Sequence, residues 1–358
     1  MSVILSTDLK DKSAVLPPAF LRFSCGVDET VNELEKMRIE VEALDLSFTG
    51  DEEARKVFEI GVTEEYKNRL LEYLLPRFGQ CEPLLNELMP HLRRNAVAYF
   101  TSRVGRYFHE CPFGYRAFHK PSGYAGDYEM MNLIYRNGAE GNTLFRRCLN
   151  LYSLSVPYSV AVRNRAELLT TKLQAKVENL GEGKTLKVLS VASGPAREVC
   201  RLIEKNHPYL SRVEFVLLDQ DFAALEFAKS EIDKCIKRTG SAVSVRYVAA
   251  NAIHYVRRRD EDRFDFIYSA GLFDYFTDSL ARLTAQRLFQ KLTPQGELFI
   301  GNYKSYSAGR MQMEMVLDWH LTYRDENELM QLFSQITPNL SLESENERVN
   351  LFVTLRNL

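Results

Sequence analysis

The chain has 358 residues, 45% apolar and 26% charged, the make-up of an ordinary globular protein with room for two or three domains. Its formal net charge of −2 gives no electrostatic basis for gripping nucleic acid or an anionic membrane surface. No apolar run approaches the roughly 18 residues of a membrane span, residues 1–13 lack the long apolar region of a secretory leader, and the cysteines are scattered without a CxxC pair. A cytoplasmic protein with reduced thiols, no stable membrane insertion and no metal site is expected.

Residues 1–60 read as a small strand-rich segment: "FLRFSC" and "RIEVEALDLSF" cluster β-formers between polar punctuation. Within it "DLSFTG", residues 45–50, matches the D-x-S-x-x-G element of PilZ cyclic-dinucleotide-binding domains, with only Arg22 in place of the upstream arginine pair. From 61 to 180 the pattern is helical. "EEYKNRLLEYLLPRF" carries apolar residues at helical spacing, Pro83 suits the first turn of a next helix, and Pro90 splits it. The loop 119–132, "HKPSGYAGDYEMMN", interrupts these helices with two glycines and a proline, and Asp127 is placed to cap the helix that follows.

From 181 to 358 short apolar runs alternate with helices. "LKVLSVA", "VEFVLLD", "VSVRYVA", "FDFIYSA" and "GELFIGN" are the strands of a mostly parallel sheet covered on both faces. A helix is expected over 307–324, "DENELMQLF" opens with a capping box from Asp325 to Glu328, and two final strands close the chain.

Ligands of such sheets bind beyond the carboxyl ends of the strands. The first strand ends in "VASGPARE", so Ala192, Ser193, Gly194 and Pro195 form the turn, with Pro195 suited to open the next helix. The second ends in "LLDQD": Asp219, with Asp221 as alternative, can accept both hydroxyls of a ribose, and Gln220 lies between them. Asn251, followed by Ala252, ends the third and can meet the edge of an adenine. The fourth runs through Ser269 and Gly271 into Phe273, Asp274 and Tyr275. A single glycine, Pro195 and the bulk of Arg197 argue against a pyrophosphate at the first turn, and so for S-adenosylmethionine over a dinucleotide.

With "SVASGPARE", "LLDQD", "AANA" and "YSAGLFDYF" in this order, residues 186–302 resemble class I S-adenosylmethionine-dependent methyltransferases. More narrowly, "KPSGYAGDYEMMNLIY", "AVRNRAELL" and "VLDWHLTYR" resemble bacterial proteins of the biosynthesis of the extracellular factor 3-hydroxypalmitic acid methyl ester. The resemblance implies a Rossmann-like seven-stranded sheet and O-methylation of a fatty or other small-molecule acid. An N- or O-methyltransferase acting on an amine or hydroxyl is the alternative, and a nucleotide-sensing regulator with a PilZ-like N-terminus is the alternative of another class.

In that frame the loop 119–132 is a lid, with Tyr124 on the cofactor or acceptor, and Arg163 and Arg165 reach the methionine carboxylate. The acceptor pocket takes Asn302, Phe273, Tyr275, Trp319, Tyr323 and Arg324. Trp319 and Tyr323 continue a four-residue stripe from Met311 and Met315, and His320 and Arg324 form a polar stripe beside it. A carboxylic acid acceptor, already ionised at neutral pH, needs only a clamp from Arg324, Tyr303 and His320, whereas an amine or hydroxyl needs a base, for which His320 is best placed. Asp127 can cap its helix, bind polar atoms of the ligands, or do both.

Overall fold

The computed structural model describes residues 16–258 and 262–358, so the stretch read above for a leader lies outside it. The chain divides into two compact units. Among the described residues, one holds those up to Gly126 together with Arg136–Ser159 and Tyr306–His320; the other holds Asp127–Tyr135, Val160–Ser305 and Leu321–Leu358. One change of unit falls at residue 160, inside a helix, and segment 306–320 goes with the helices.

The first unit is helical: α1 (Pro18–Ser47), α2 (Glu52–Asn86), α3 (Pro90–Phe100), a π turn at Thr101–Gly105, then α4 (Arg106–Phe108) and α5 (Pro112–His119). α6 (Tyr128–Arg136) belongs, up to Tyr135, to the other unit; α7 (Leu144–Ser155) and the first residues of α8 (Pro157–Glu178) complete this one, and the rest of α8 lies in the other. The strand-rich reading of residues 1–60 is corrected. Residues 18–47 are one helix, because Phe23, Val27, Val31, Leu34, Met37 and Val41 recur every three or four positions and all are buried. Their β-branched and aromatic character favours strands, but burial of a continuous apolar stripe outweighs propensity. The segment 45–50 therefore ends α1 and leads to Asp51, which caps α2 by accepting the Ala54 N–H at 2.8 Å. It is not part of a β-barrel of PilZ type. Pro83 lies inside α2 rather than opening a helix.

The helix expected over 307–324 is shorter. After α13 (Ser307–Met311) comes a second π turn, Gln312–Val316, and the chain leaves helical geometry at Leu317. Asp318, left-handed at φ 49°, ends it. Its carboxylate and carbonyl accept from Lys120 Nζ at 2.6 and 2.7 Å. Trp319, His320, Tyr323 and Arg324 therefore share no helical stripe with Met311 and Met315. The two π turns are bonded together. The Thr101 hydroxyl stands 2.7 Å from the Met315 carbonyl, and the His109 ring donates Nε2–H to the Val316 carbonyl at 2.6 Å. π turns leave carbonyls without the usual partner, and these two find one in the facing segment.

The second unit alternates strands and helices: β1 (Leu186–Val191), α9 (Arg197–Glu204), β2 (Val213–Asp219), α10 (Phe222–Thr239), β3 (Ser244–Ala249), α11 (Ala252–Tyr255), β4 (Phe264–Ser269), α12 (Asp278–Phe289) and β5 (Leu292–Tyr303). It closes with α14 (Glu326–Phe333), β6 (Leu340–Ser344) and β7 (Asn350–Arg356). The capping box of Asp325 and Glu328 opens α14 as expected. The strand order is β3-β2-β1-β4-β5-β7-β6, and β7 runs opposite to its neighbours. Leu169 and Leu173 of α8 and Ile203 of α9 pack with Val188, Phe215 and Phe266 on one face. Leu288 of α12 and Leu329 and Phe333 of α14 pack with Leu189, Val216 and Ile267 on the other. This is the Rossmann-like class I methyltransferase fold, a seven-stranded, mostly parallel sheet in which β7 alone is reversed. The chain order changes direction between β1 and β4, where such sheets open a ligand crevice.

Candidate active site at the carboxyl edge of the sheet

β1 leaves the sheet through Ala192, Ser193, Gly194, Pro195 and Ala196. Three of these five are left-handed: Ala192 at φ 57°, Gly194 at 51° and Ala196 at 48°. For each alanine that geometry costs roughly 1–2 kcal/mol, so the surrounding structure must impose it. Part of the restraint is Asp219 at the tip of β2. Its Oδ2 accepts the Gly194 N–H at 2.8 Å and its Oδ1 accepts the Asp221 N–H at 2.9 Å. Burial pushes the Asp219 carboxyl up, and the Asp221 and Gly194 N–H groups pull it back. Asp219 thus has a structural task that its sequence position did not reveal, while Asp221, the alternative for the ribose, caps α10. Pro195 does not open the next helix; Ala196 is the N-cap and α9 begins at Arg197. The Ser193 hydroxyl is buried at this turn with no partner among the described residues.

At the tip of β3, Asn251 caps α11 by accepting the Ile253 N–H at 3.0 Å and donates its amide to Gln220 Oε1 at 2.9 Å. Ala252 is the first residue of that short helix. Ser269 at the end of β4 donates to the Val191 carbonyl at 3.0 Å, tying β4 to β1. The turn, Asp219, Gln220, Asn251 and Ser269 are therefore brought together along one edge of the sheet.

The ends of β4 and β5 hold a buried ionic group. Asp274 accepts the Tyr303 N–H at 2.6 Å, and its own carbonyl accepts the Thr322 N–H at 2.6 Å. Burial pushes the Asp274 carboxyl up to about 7, against the pull of the Tyr303 N–H and of the Arg165 and Arg324 guanidinium groups. Arg324, expected as an acceptor clamp, is 3% exposed and fully engaged. It donates to Asp278 Oδ1 at 2.9 Å, Asn302 Oδ1 at 2.5 Å, and the carbonyls of Phe273 at 3.1 Å and Phe276 at 2.6 Å. It is a structural tie, and Asn302, donating in turn to the Tyr303 and Thr322 carbonyls, is part of it. Phe273 is buried in the core, whereas Tyr275 is exposed.

Arg165 differs from Arg324. It is 8% exposed on α8, yet no carboxylate lies within ion-pair distance of it among the described residues. Its Nη1 reaches the Ala270 carbonyl at 3.3 Å, its Nη2 the Met131 sulfur at 3.4 Å, and its guanidinium lies 6.0 Å from the Tyr303 ring centre. Burial works against its charge, yet its basicity is raised on balance, with the Tyr303 and Tyr135 side chains and the Asp274 carboxyl offsetting that burial. Arg163, half-buried two residues earlier, has its basicity lowered by burial. Asp127 is fully buried and caps α6 by accepting the Met130 N–H at 2.8 Å.

Tyr124, Trp319 and His320 belong to the helical unit and Tyr323 to the other. Trp319 is nearly buried, its backbone N–H donating to the Met313 carbonyl at 2.9 Å, and His320 is exposed and donates Nε2–H to Asp318 at 3.0 Å. Sequence reasoning singled out neither Glu198 nor Asn350. Glu198, buried on α9, accepts the Tyr268 hydroxyl at 2.6 Å, and burial pushes its carboxyl up. Asn350, wholly buried at the start of β7, has neither a donor nor an acceptor partner for its amide among the described residues. Its only signal in the sequence is a polar residue opening an apolar strand, "NLFVTLR".

No protein-family model matches this chain, and no curated protein does. Among solved structures, it is similar to a possible exported protein from Bordetella parapertussis: 16% identity, TM-score 0.50, covering 96% of this chain and 99% of that one. It is also similar to magnesium protoporphyrin IX methyltransferase from Synechocystis PCC 6803 with bound SAH, at 8% identity and TM-score 0.42, covering 55% of this chain and 85% of that one. A third is the N-methyltransferase NodS from Bradyrhizobium japonicum with S-adenosyl-L-homocysteine, at 16% identity and TM-score 0.36, covering 55% and 87%. Identities this low speak to the fold alone. No described helix is long and apolar enough to cross a membrane.

Proposed function

We propose that this chain is an S-adenosylmethionine-dependent methyltransferase acting on a small-molecule acceptor, and that the acceptor is a carboxylic acid converted to its methyl ester. The observation that supports the cofactor is the β1 exit: a strained turn with an orphaned Ser193 hydroxyl, held by the Asp219 carboxylate from the next strand tip. Strain of this kind persists where a site needs it. Ser193 and the backbone of the turn would hold the amino-acid part, the free lone pairs of Asp219 the ribose, and Asn251 with Gln220 the base.

Bound S-adenosylmethionine supplies an electrophilic methyl group on a sulfonium. The protein's part is to align acceptor and methyl group and to exclude water. A carboxylate oxygen forms the new O–C bond as the C–S bond breaks with its electron pair to sulfur, so no proton moves and no general base is required. The test is titration calorimetry with S-adenosylhomocysteine, followed by incubation of small-molecule extracts with isotopically labelled S-adenosylmethionine and mass spectrometry. Absence of binding, or of any labelled product, would remove this reading.

A further inference from the structure

Resting on that reading, we infer that Arg165 and Asn350 form the subsite for the acceptor's carboxylate, in place of Arg324. Two independent features carry this. The first is a guanidinium almost sealed from water with no carboxylate in ion-pair contact; its hydrogen bonds go to one carbonyl and one sulfur. A buried cation with no anion in contact is costly, and Asp274, an acid whose charge it feels, is turned to the Tyr303 N–H instead. The second is the Asn350 side chain, whose nitrogen and oxygen are both buried and both unpartnered. Buried amides are otherwise satisfied almost without exception.

The sheet sets these two features on one face, each next to Tyr303. Asn350 of β7 is the register partner of Tyr303 of β5, so their side chains stand on the same face. The Tyr303 ring lies beneath the Arg165 guanidinium. That same face meets α8: Lys172, two turns along the helix from Arg165, lies 4.6 Å from the ring centre of Phe299, two residues before Gly301 on β5. Arg324 and Asn302 stand on the opposite face, bonded to each other. Gly271 keeps the way clear, since a β-carbon there would come within 3.1 Å of Arg165 Nη1.

In strand order the nucleoside acid sits at β2 and the strained turn at β1, so β4 and β5 are the next tips along the edge, where an acceptor meets the methyl group. A guanidinium and an amide N–H can hold one carboxylate oxygen and leave the second as nucleophile. The neutral ester loses the charge interaction, so the subsite favours substrate over product.

The experiment uses the full chain saturated with S-adenosylhomocysteine. Straight-chain carboxylic acids and their methyl esters are titrated as probes. Arg165→Met should weaken acid binding by about 10- to 100-fold, leave the ester unchanged, and leave homocysteine-cofactor affinity intact. Asn350→Asp supplies a carboxylate on the face that Arg165 covers; it should match or exceed the wild-type melting temperature while losing acid binding. If Arg165→Met instead weakens S-adenosylhomocysteine, with 5′-methylthioadenosine unaffected, the guanidinium belongs to the cofactor's carboxylate and the inference is overturned. It is equally overturned if Asn350→Asp binds acids as wild type does, or if no acid binds a protein that binds the cofactor. Failure to bind S-adenosylhomocysteine at all would strike the methyltransferase reading itself.

Discussion

The Arg165 guanidinium fills the space in which a side chain at Gly271 would begin, with Nη1 only 3.1 Å from the position a β-carbon there would take. The glycine after β4 and the arginine on α8 are therefore fitted to each other. Gly271→Ala should push the guanidinium aside, at a stability cost of about 1–3 kcal/mol for the overpacking. Turnover at low acceptor concentration should fall more than at saturation. Steady-state kinetics and a melting curve on the same preparation separate the two effects.

Asp219 joins two strand tips, so its loss should show twice. Asp219→Ala should weaken S-adenosylhomocysteine by about 1.5–3 kcal/mol, the range for hydrogen bonds to a charged group. It should also lower the melting temperature, because the Gly194 and Asp221 N–H groups lose their acceptor. Calorimetry showing unchanged affinity with lowered stability would leave it only the structural half of that role.

Arg324→Met tests the opposite assignment. Removing it strands Asn302 Oδ1 and two carbonyls in the interior, at about 3–5 kcal/mol. The expected phenotype is a large loss of stability. If the folded fraction shows a raised Michaelis constant for acids and ordinary stability, the clamp belongs to Arg324 after all.

Asp274 sets a pH dependence. Its carboxyl is pushed up to about 7 in the fold, against about 3.9 unfolded, so the native state binds the extra proton in between. Its contribution to stability is full below pH 4 and declines as pH rises toward 7. Melting temperatures from pH 4.5 to 8 should show that decline, and Asp274→Asn should flatten it.

Much of the sheet was legible because buried parallel strands are nearly continuous apolar runs, and "VEFVLLD" or "FDFIYSA" can hardly be anything else. The N-terminal helix was not, since Phe23, Val27 and Val31 favour strands singly and declare a helix only through their spacing. At the site, Gly194 and Asp219 were visible from the turn and strand-end pattern. Arg324 was misread because its four-residue spacing from His320 implied a helix that ends eight residues earlier, at Val316. Asn350 was invisible for another reason: whether an amide is satisfied depends on cross-strand neighbours that no local window contains.

The paired π turns of the helical unit constrain how this chain can change length. Each closes its hydrogen bonds over one residue more than an α-helix, and deleting one residue from 101–105 would be locally harmless or even favourable. It would also withdraw Thr101 and rotate His109 away, leaving the Met315 and Val316 carbonyls without donors. A shortening of one segment is therefore tolerated only with a matching one in 312–316, more than 200 positions along the chain, so insertions and deletions at the two places should be inherited together.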